Sequence, residues 1–136
     1  MWPYLPLARE DEALRRLIRG VVRRQLKCLL TDPYANAFND GPTGTGWQDD
    51  WTEMKPELHE RKWELDSPCY VIRLAYGYWK TTGDASVFDE RWIEAMHLVL
   101  KTLHDQQRRE GPGPYTFQRV TEDALDTQLK NGYGHP

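Results

Sequence analysis

Between Asp11 and Leu30 the residues Leu14, Leu17, Ile18, Val21, Val22, Leu26 and Leu29 recur at spacings of three and four, the pattern of one apolar face on an α-helix. A strand would alternate with period two, so this stretch commits the chain to a long amphipathic helix that needs a packing partner. Asp11 and Glu12 stand at its start, where negative charge suits the helix dipole. The opposite face carries Arg15, Arg16, Arg19, Arg23 and Arg24. In a chain of net charge -3 such a stripe reads as a solvated or partner-covered face rather than an anion site.

Two further helices follow from the same reasoning. One begins at Asp66 or Ser67, both good N-cap types, tolerates Pro68 in its first turn and runs to Thr81. Ile72, Ala75, Tyr76 and Trp79 form its expected packed side, and Gly83 stops it. The other spans Asp89 to Arg109, with Trp92, Ile93, Met96, Leu100 and Leu103 as its stripe and Gly111-Pro112 as its end. Residues 31–53 contain Pro33, Gly41, Pro42, Gly44 and Gly46 and read as one long loop carrying Asn36, Asn39, Asp40, Trp47 and Asp49. The tail from Gly113 to Pro136 reads as irregular, with no strand or hairpin signal anywhere in the chain. The expected class is all-α, an α/α arrangement whose long loops carry a site at one end.

The bulk numbers exclude several functions. A chain of 136 residues holds one domain with a modest core. Its 39% apolar and 29% charged content is that of a globular protein. Net acidity argues against general nucleic-acid binding, and no apolar run approaches the roughly 18 residues of a membrane span. Residues 1–10 lack a signal-peptide pattern, which makes a cytoplasmic location the expectation. Cys28 and Cys69 fit no metal spacing and are expected as buried free thiols, and His59 and His135 likewise lack ligand spacing. Gly41-Pro42-Thr43-Gly44-Thr45-Gly46 has neither a following Lys-Ser/Thr nor a preceding strand, so it is no phosphate loop. Six tryptophans and seven tyrosines suit either plain core or a sugar site, where a pyranose stacks on an aromatic ring.

The segment Glu53 to Asp66 mixes charges and His59 with Leu58, Trp63 and Leu65. A solvated charge run would lack the large apolar groups, and a core segment would lack the charges. The mixture suits the polar floor of a pocket. A pocket that does acid–base chemistry needs carboxyl groups, and this segment offers Glu53, Glu57, Glu60, Glu64 and Asp66. Each has Lys55, Arg61 or Lys62 within reach as a plain ion-pair partner. Asp66 stands out because it opens a helix, and because Trp63, Leu65 and Tyr70 nearby are placed to desolvate it and raise its pKa.

Three stretches occur in a fixed order: Asn36-Ala37-Phe38-Asn39-Asp40, Lys55 through Ser67, and Gly113-Pro114-Tyr115-Thr116-Phe117-Gln118-Arg119. Together they resemble glycoside hydrolase family 125, the exo-α-1,6-mannosidases, over nearly the whole chain. The resemblance implies a partial (α/α)6 barrel and hydrolysis of terminal α-1,6-linked mannose by inversion, without metal or cofactor. It points to Asp66, in Trp63-Glu64-Leu65-Asp66-Ser67, as general acid. It assigns Asn36, Asn39, Asp40, His59, Glu60 and Arg61 to the mannose, Trp47 or Trp63 to a stacking face, and Arg119 to closing the pocket. Ser67-Pro68-Cys69-Tyr70-Val71 departs from the family's Ser-Leu-Cys-Tyr-Pro, which puts the aim of Asp66 in question. Neither the family's C-terminal base nor its Arg-Asp-Ser motif, expected before Trp2, has a match. Residues 1–136 are therefore expected to be one partial catalytic domain, inactive alone and self-associating through uncovered helix faces. Its partner would be a mannose-containing oligosaccharide. A non-catalytic mannoside-binding or protein-interaction domain is the alternative.

Overall fold

The computed structural model describes residues 2–120 and the backbone of Leu125–Asp126. Expectations placed on the rest of the tail, His135 among them, lie outside the described residues. The chain divides into two compact units, one of Met1–Pro33 with Asp66–Leu100 and one of Tyr34–Leu65 with Lys101–Pro136.

The first unit is helical. A 3-10 helix, Trp2–Arg9, precedes helix α1, Glu12–Thr31, which packs on it and on helix α2, Asp66–Thr82. The sequence does not announce this 3-10 helix, because Pro3 and Pro6 sit in a stretch with no helical stripe. Asp11 caps α1 by accepting a hydrogen bond from the Leu14 amide, and Ile18, Val22, Leu26 and Leu29 are buried as expected. Leu17 is not: it is 58% exposed, so the covered face is narrower than the apolar pattern. The arginine stripe is partly committed inside the unit. Arg15 donates to the Ala8 and Arg9 carbonyls, which end the 3-10 helix without intrahelical partners, and Arg19 pairs with Asp84 at 3.2 Å.

α2 begins where expected but rolls to a different face. Val71, Leu74, Ala75 and Tyr78 are buried, whereas Ile72, Tyr76 and Trp79 are substantially exposed. The reason is Gly77. A Cβ there would stand 2.5 Å from the Trp2 ring and 2.7 Å from Leu5, so the side bearing Gly77 is the one that meets the 3-10 helix. Gly83, at φ 73°, ends the helix by donating its amide to the Trp79 carbonyl. Helix α3, Glu90–Gln106, is capped by Asp89. Its buried positions are Ala95, Val99, Thr102 and Gln106, while Ile93 and Leu100 are 54% and 64% exposed. The cysteines also depart from expectation: Cys28 is half-buried and Cys69 exposed.

The second unit contains strands that the sequence did not announce. Strand β1, Ala37–Phe38, pairs antiparallel with β2, Leu58–Glu60, and β3, Arg119–Val120, pairs with β4, Leu125–Asp126. Two- and three-residue strands are too short to show a period of two. Along the first pair, Ala37 faces Glu60 but Phe38 faces Leu58, which leaves His59 as an extra, bulged residue. The core is aromatic: Tyr34, Trp63, Tyr115 and Phe117, with Leu103 packed against them.

Candidate functional site

The second unit gathers most of the polar residues singled out above. Asn39 is the knot of its long loop. Its side-chain amide nitrogen faces the carbonyls of Thr45, Pro56 and Leu58 at 3.0, 2.9 and 3.2 Å, and its oxygen accepts from the Thr45 hydroxyl. The same oxygen lies 3.2 Å from His59 Nδ1. Gln48, unremarked in the sequence, repeats the device by donating to the Thr45 and Leu58 carbonyls. Gly46 lets the loop come this close, since a Cβ on it would lie 2.2 Å from the His59 carbonyl oxygen at a backbone φ of 96°. Asn39 is thus engaged in shaping the loop, whereas Asp40 and His59 are exposed at its surface.

A second cluster centres on Glu60. Its carboxylate accepts from the Asn36 amide at 2.7 Å and from the Arg119 guanidinium. Arg119 Nε lies 3.2 Å from Asp50 Oδ2, and its guanidinium carbon sits 3.9 Å from the centre of the Trp47 ring. Asp50 in turn accepts from the Val120 amide. Burial pushes the Glu60 carboxyl up, but the hydrogen bonds from Arg119 and Asn36 outweigh it and hold the group below its ordinary value. Asp50 goes the other way. Its burial outweighs the Val120 amide and Arg119, with Glu60 and Asp49 adding to the upward shift. Sequence reasoning named Asp49 and overlooked Asp50, because adjacent aspartates in a loop look alike until one of them is buried.

Arg61 and Trp63 are drawn into the core. Tyr34 and Tyr115 stack at 4.9 Å, and the Arg61 guanidinium carbon lies 5.2 and 5.3 Å from their ring centres. Arg61 is 4% exposed and donates to the Thr52 hydroxyl at 2.7 Å, while Glu53 stands 3.7 Å away at the surface. The Trp63 ring is 6% exposed and meets Tyr34 edge-on, and the Trp63 amide donates to the Tyr115 hydroxyl. The Tyr115 hydroxyl donates in turn to the Arg61 carbonyl, tying the stretch around residue 62 to the stretch around residue 115.

Asp66 belongs to the helical unit, as the first residue of α2. It is exposed, and so are Leu65 and Tyr70, at 62% and 55%. The apolar surroundings expected to desolvate it are therefore not supplied by those two side chains. Pro68 fits the first turn and is buried, so its shift from the familiar motif leaves the helix intact. Among the described residues no three His, Cys, Asp or Glu side chains converge to hold a metal ion, and no helix is long and apolar enough to cross a membrane.

Comparison with known proteins gives a consistent result. The family described as metal-independent alpha-mannosidase (GH125) matches residues 1–136. The meiotically up-regulated gene 157 protein of Schizosaccharomyces pombe is 33% identical over 150 residues, which cover 98% of this chain and 30% of that protein. A solved structure of a metal-independent α-mannosidase from Streptococcus pneumoniae, in a non-productive complex with α-1,6-mannobiose, matches with a TM-score of 0.86 at 39% identity. That match covers 99% of this chain and 32% of the other. The chain thus spans about a third of the length of each relative. Its mostly helical fold is of the partial α/α-toroid class.

Proposed function

The chain belongs to the GH125 family of metal-independent α-mannosidases, and from that membership we propose that it forms the acid-bearing part of a site that removes terminal α-1,6-linked mannose with inversion. The observation that carries this reading is the 0.86 TM-score over 99% of the chain to a relative solved with α-1,6-mannobiose. Asp66 protonates the leaving oxygen. Its place in the first turn of α2 fixes the direction of the carboxyl group, and general-acid chemistry there needs water kept away. Exposed Leu65 and Tyr70 do not do this, which leaves the sugar itself to cover the carboxyl on binding. Exposed Asp40 and His59 reach mannose hydroxyls directly. Asn36, Asn39 and Glu60 spend part of their hydrogen-bonding capacity on the loop, and Arg61 supports it from within the core.

The second carboxyl group of an inverting pair has no match in these residues, so the chain by itself is expected to hydrolyse very little. The exposure of Asp66 also favours a second reading, a mannoside-binding domain without catalysis. Both are tested with purified chain and α-1,6-mannobiose. Negligible mannose release, together with a cooperative thermal transition raised by the sugar, fits the binding half of the proposal. Release of mannose by the wild type that disappears in Asp66→Asn overturns the inactive reading and confirms the acid. Equal release by both proteins removes Asp66 from the chemistry.

A further inference from the structure

Three tryptophans and one buried aspartate carry an inference that rests on the mannoside reading above. Trp63 has its ring in the aromatic core and offers no free face. Trp47 and Trp51 are 47% and 60% exposed, but they are held differently. The guanidinium of Arg119 covers one face of Trp47 at 3.9 Å, so the accessible part of the ring is what Arg119 leaves free. Arg119 is itself 11% exposed, hydrogen-bonded to Glu60 and ion-paired with Asp50, whose Oδ2 and the facing Arg119 Nε have no hydrogen-bond partner among the described residues. Trp51 is tied only through its backbone, which pairs with Gln118, and among the described residues neither a ring nor a cation holds its indole.

A ring that binds a sugar by stacking gains most when it is already stationary, because a mobile side chain loses rotamer freedom on binding. Trp47 meets that condition and Trp51 does not. We infer that Trp47 is the plate on which a pyranose of an α-mannoside stacks, and that Asp50 is the positioning residue that aims it, acting through Arg119. The Asp50 side chain is 1% exposed and so does not touch the sugar. Facing it are the Arg119 guanidinium, the Val120 amide and the carboxylates of Glu60 and Asp49. Protonation of Asp50 removes one of the two carboxylates paired with Arg119 and leaves Glu60 as the other. Binding therefore weakens as the pH falls.

The test is a titration of the full chain with α-1,6-mannobiose, followed by the indole N–H resonances of its six tryptophans, with Trp47→Phe assigning one of them. The Trp47 resonance is expected to shift while those of Trp51 and Trp63 stay. Trp47→Ala weakens binding about tenfold, the scale of one aromatic contact, and Trp51→Ala leaves it unchanged. Asp50→Asn weakens binding and removes its pH dependence. Arg119→Lys keeps the charge but loses the flat guanidinium, and it weakens binding too. Should Asp50→Asn fail to fold, Arg119→Lys and the Trp47 resonance decide. Binding that leaves the Trp47 resonance unmoved, or that survives Trp47→Ala, overturns the inference and spares the mannoside reading. Wild-type chain that does not bind α-1,6-mannobiose at all overturns both.

Discussion

The helical unit buries aliphatic side chains in rows, Ile18, Val22 and Leu26 on one helix and Val71, Leu74 and Ala75 on another, and keeps most of its charges outside. The second unit closes around Tyr34, Trp63, Tyr115 and Phe117 and takes Asp50, Arg61, Thr102 and Gln106 inside with them. The difference lies in the kind of contact that spans the chain. The helices of the first unit meet mainly through apolar faces, with Arg19 and Asp84 as a polar link. In the second, Tyr115 hydrogen-bonds with residues 52 and 54 positions away and Val120 with Asp50 across 70. A buried polar group that loses its partner costs more than the bond was worth, because it no longer has water to turn to. The first unit should therefore be most sensitive to lost volume, and the second to lost hydrogen bonds.

Two substitutions set that contrast at its strongest. Leu26→Ala removes a side chain that is 3% exposed and should destabilise the helical unit by about 2–5 kcal/mol. Amide hydrogen exchange will show it as lost protection along α1. Tyr115→Phe keeps the ring and its volume but leaves the Trp63 amide and the Arg61 carbonyl without the hydroxyl they share. It should cost about 2–3 kcal/mol, read as lost protection of the Trp63 amide. A cost below about 0.5 kcal/mol, the range of an ordinary surface change, would mean that the second unit is held by apolar packing like the first, and the comparison would collapse.

What the sequence disclosed divides along the same line. The three helices were legible to within a few residues because periodicity, Asp11, Asp89 and Gly83 are local signals. Which face each helix buries was less so. Leu17, Ile72, Ile93 and Leu100 match an apolar stripe yet are exposed, since burial depends on what lies opposite, and Gly77 chose the face of α2 by close approach to Trp2 and Leu5. In the second unit, motif order brings Asn36, Glu60 and Arg119 together, with Trp47 beside them as an expected stacking face, and the fold joins all four. Nothing local separated Asp50 from Asp49, or told that Arg61 and Trp63 turn inward, because both outcomes depend on residues 115–120 arriving from far along the chain.

Acid sharpens the comparison by a smaller amount. In the helical unit Asp84 accepts from Ser86, from the Tyr78 hydroxyl at 2.5 Å and from Arg19, which together hold its carboxyl far below the ordinary value of 3.8. Burial and the same contact push Tyr78 up to about 12. A depressed carboxyl stabilises the fold fully above its unfolded pKa, and that contribution is lost as the pH falls through the folded value. In the second unit Glu60 behaves in the same way, but Asp50 opposes it. A raised carboxyl favours the fold below its unfolded pKa, and the benefit fades as the pH rises through the folded value. Below pH 3.8 the helical unit should therefore lose stability faster than the second, by less than either substitution above. Denaturant titrations followed by the amide signals of Val22 and Phe117 measure the two separately. Asp84→Asn should remove the excess acid sensitivity of the first and leave the second unchanged. Parallel acid responses in the wild type would show that Asp84 does not set the acid limit of its unit.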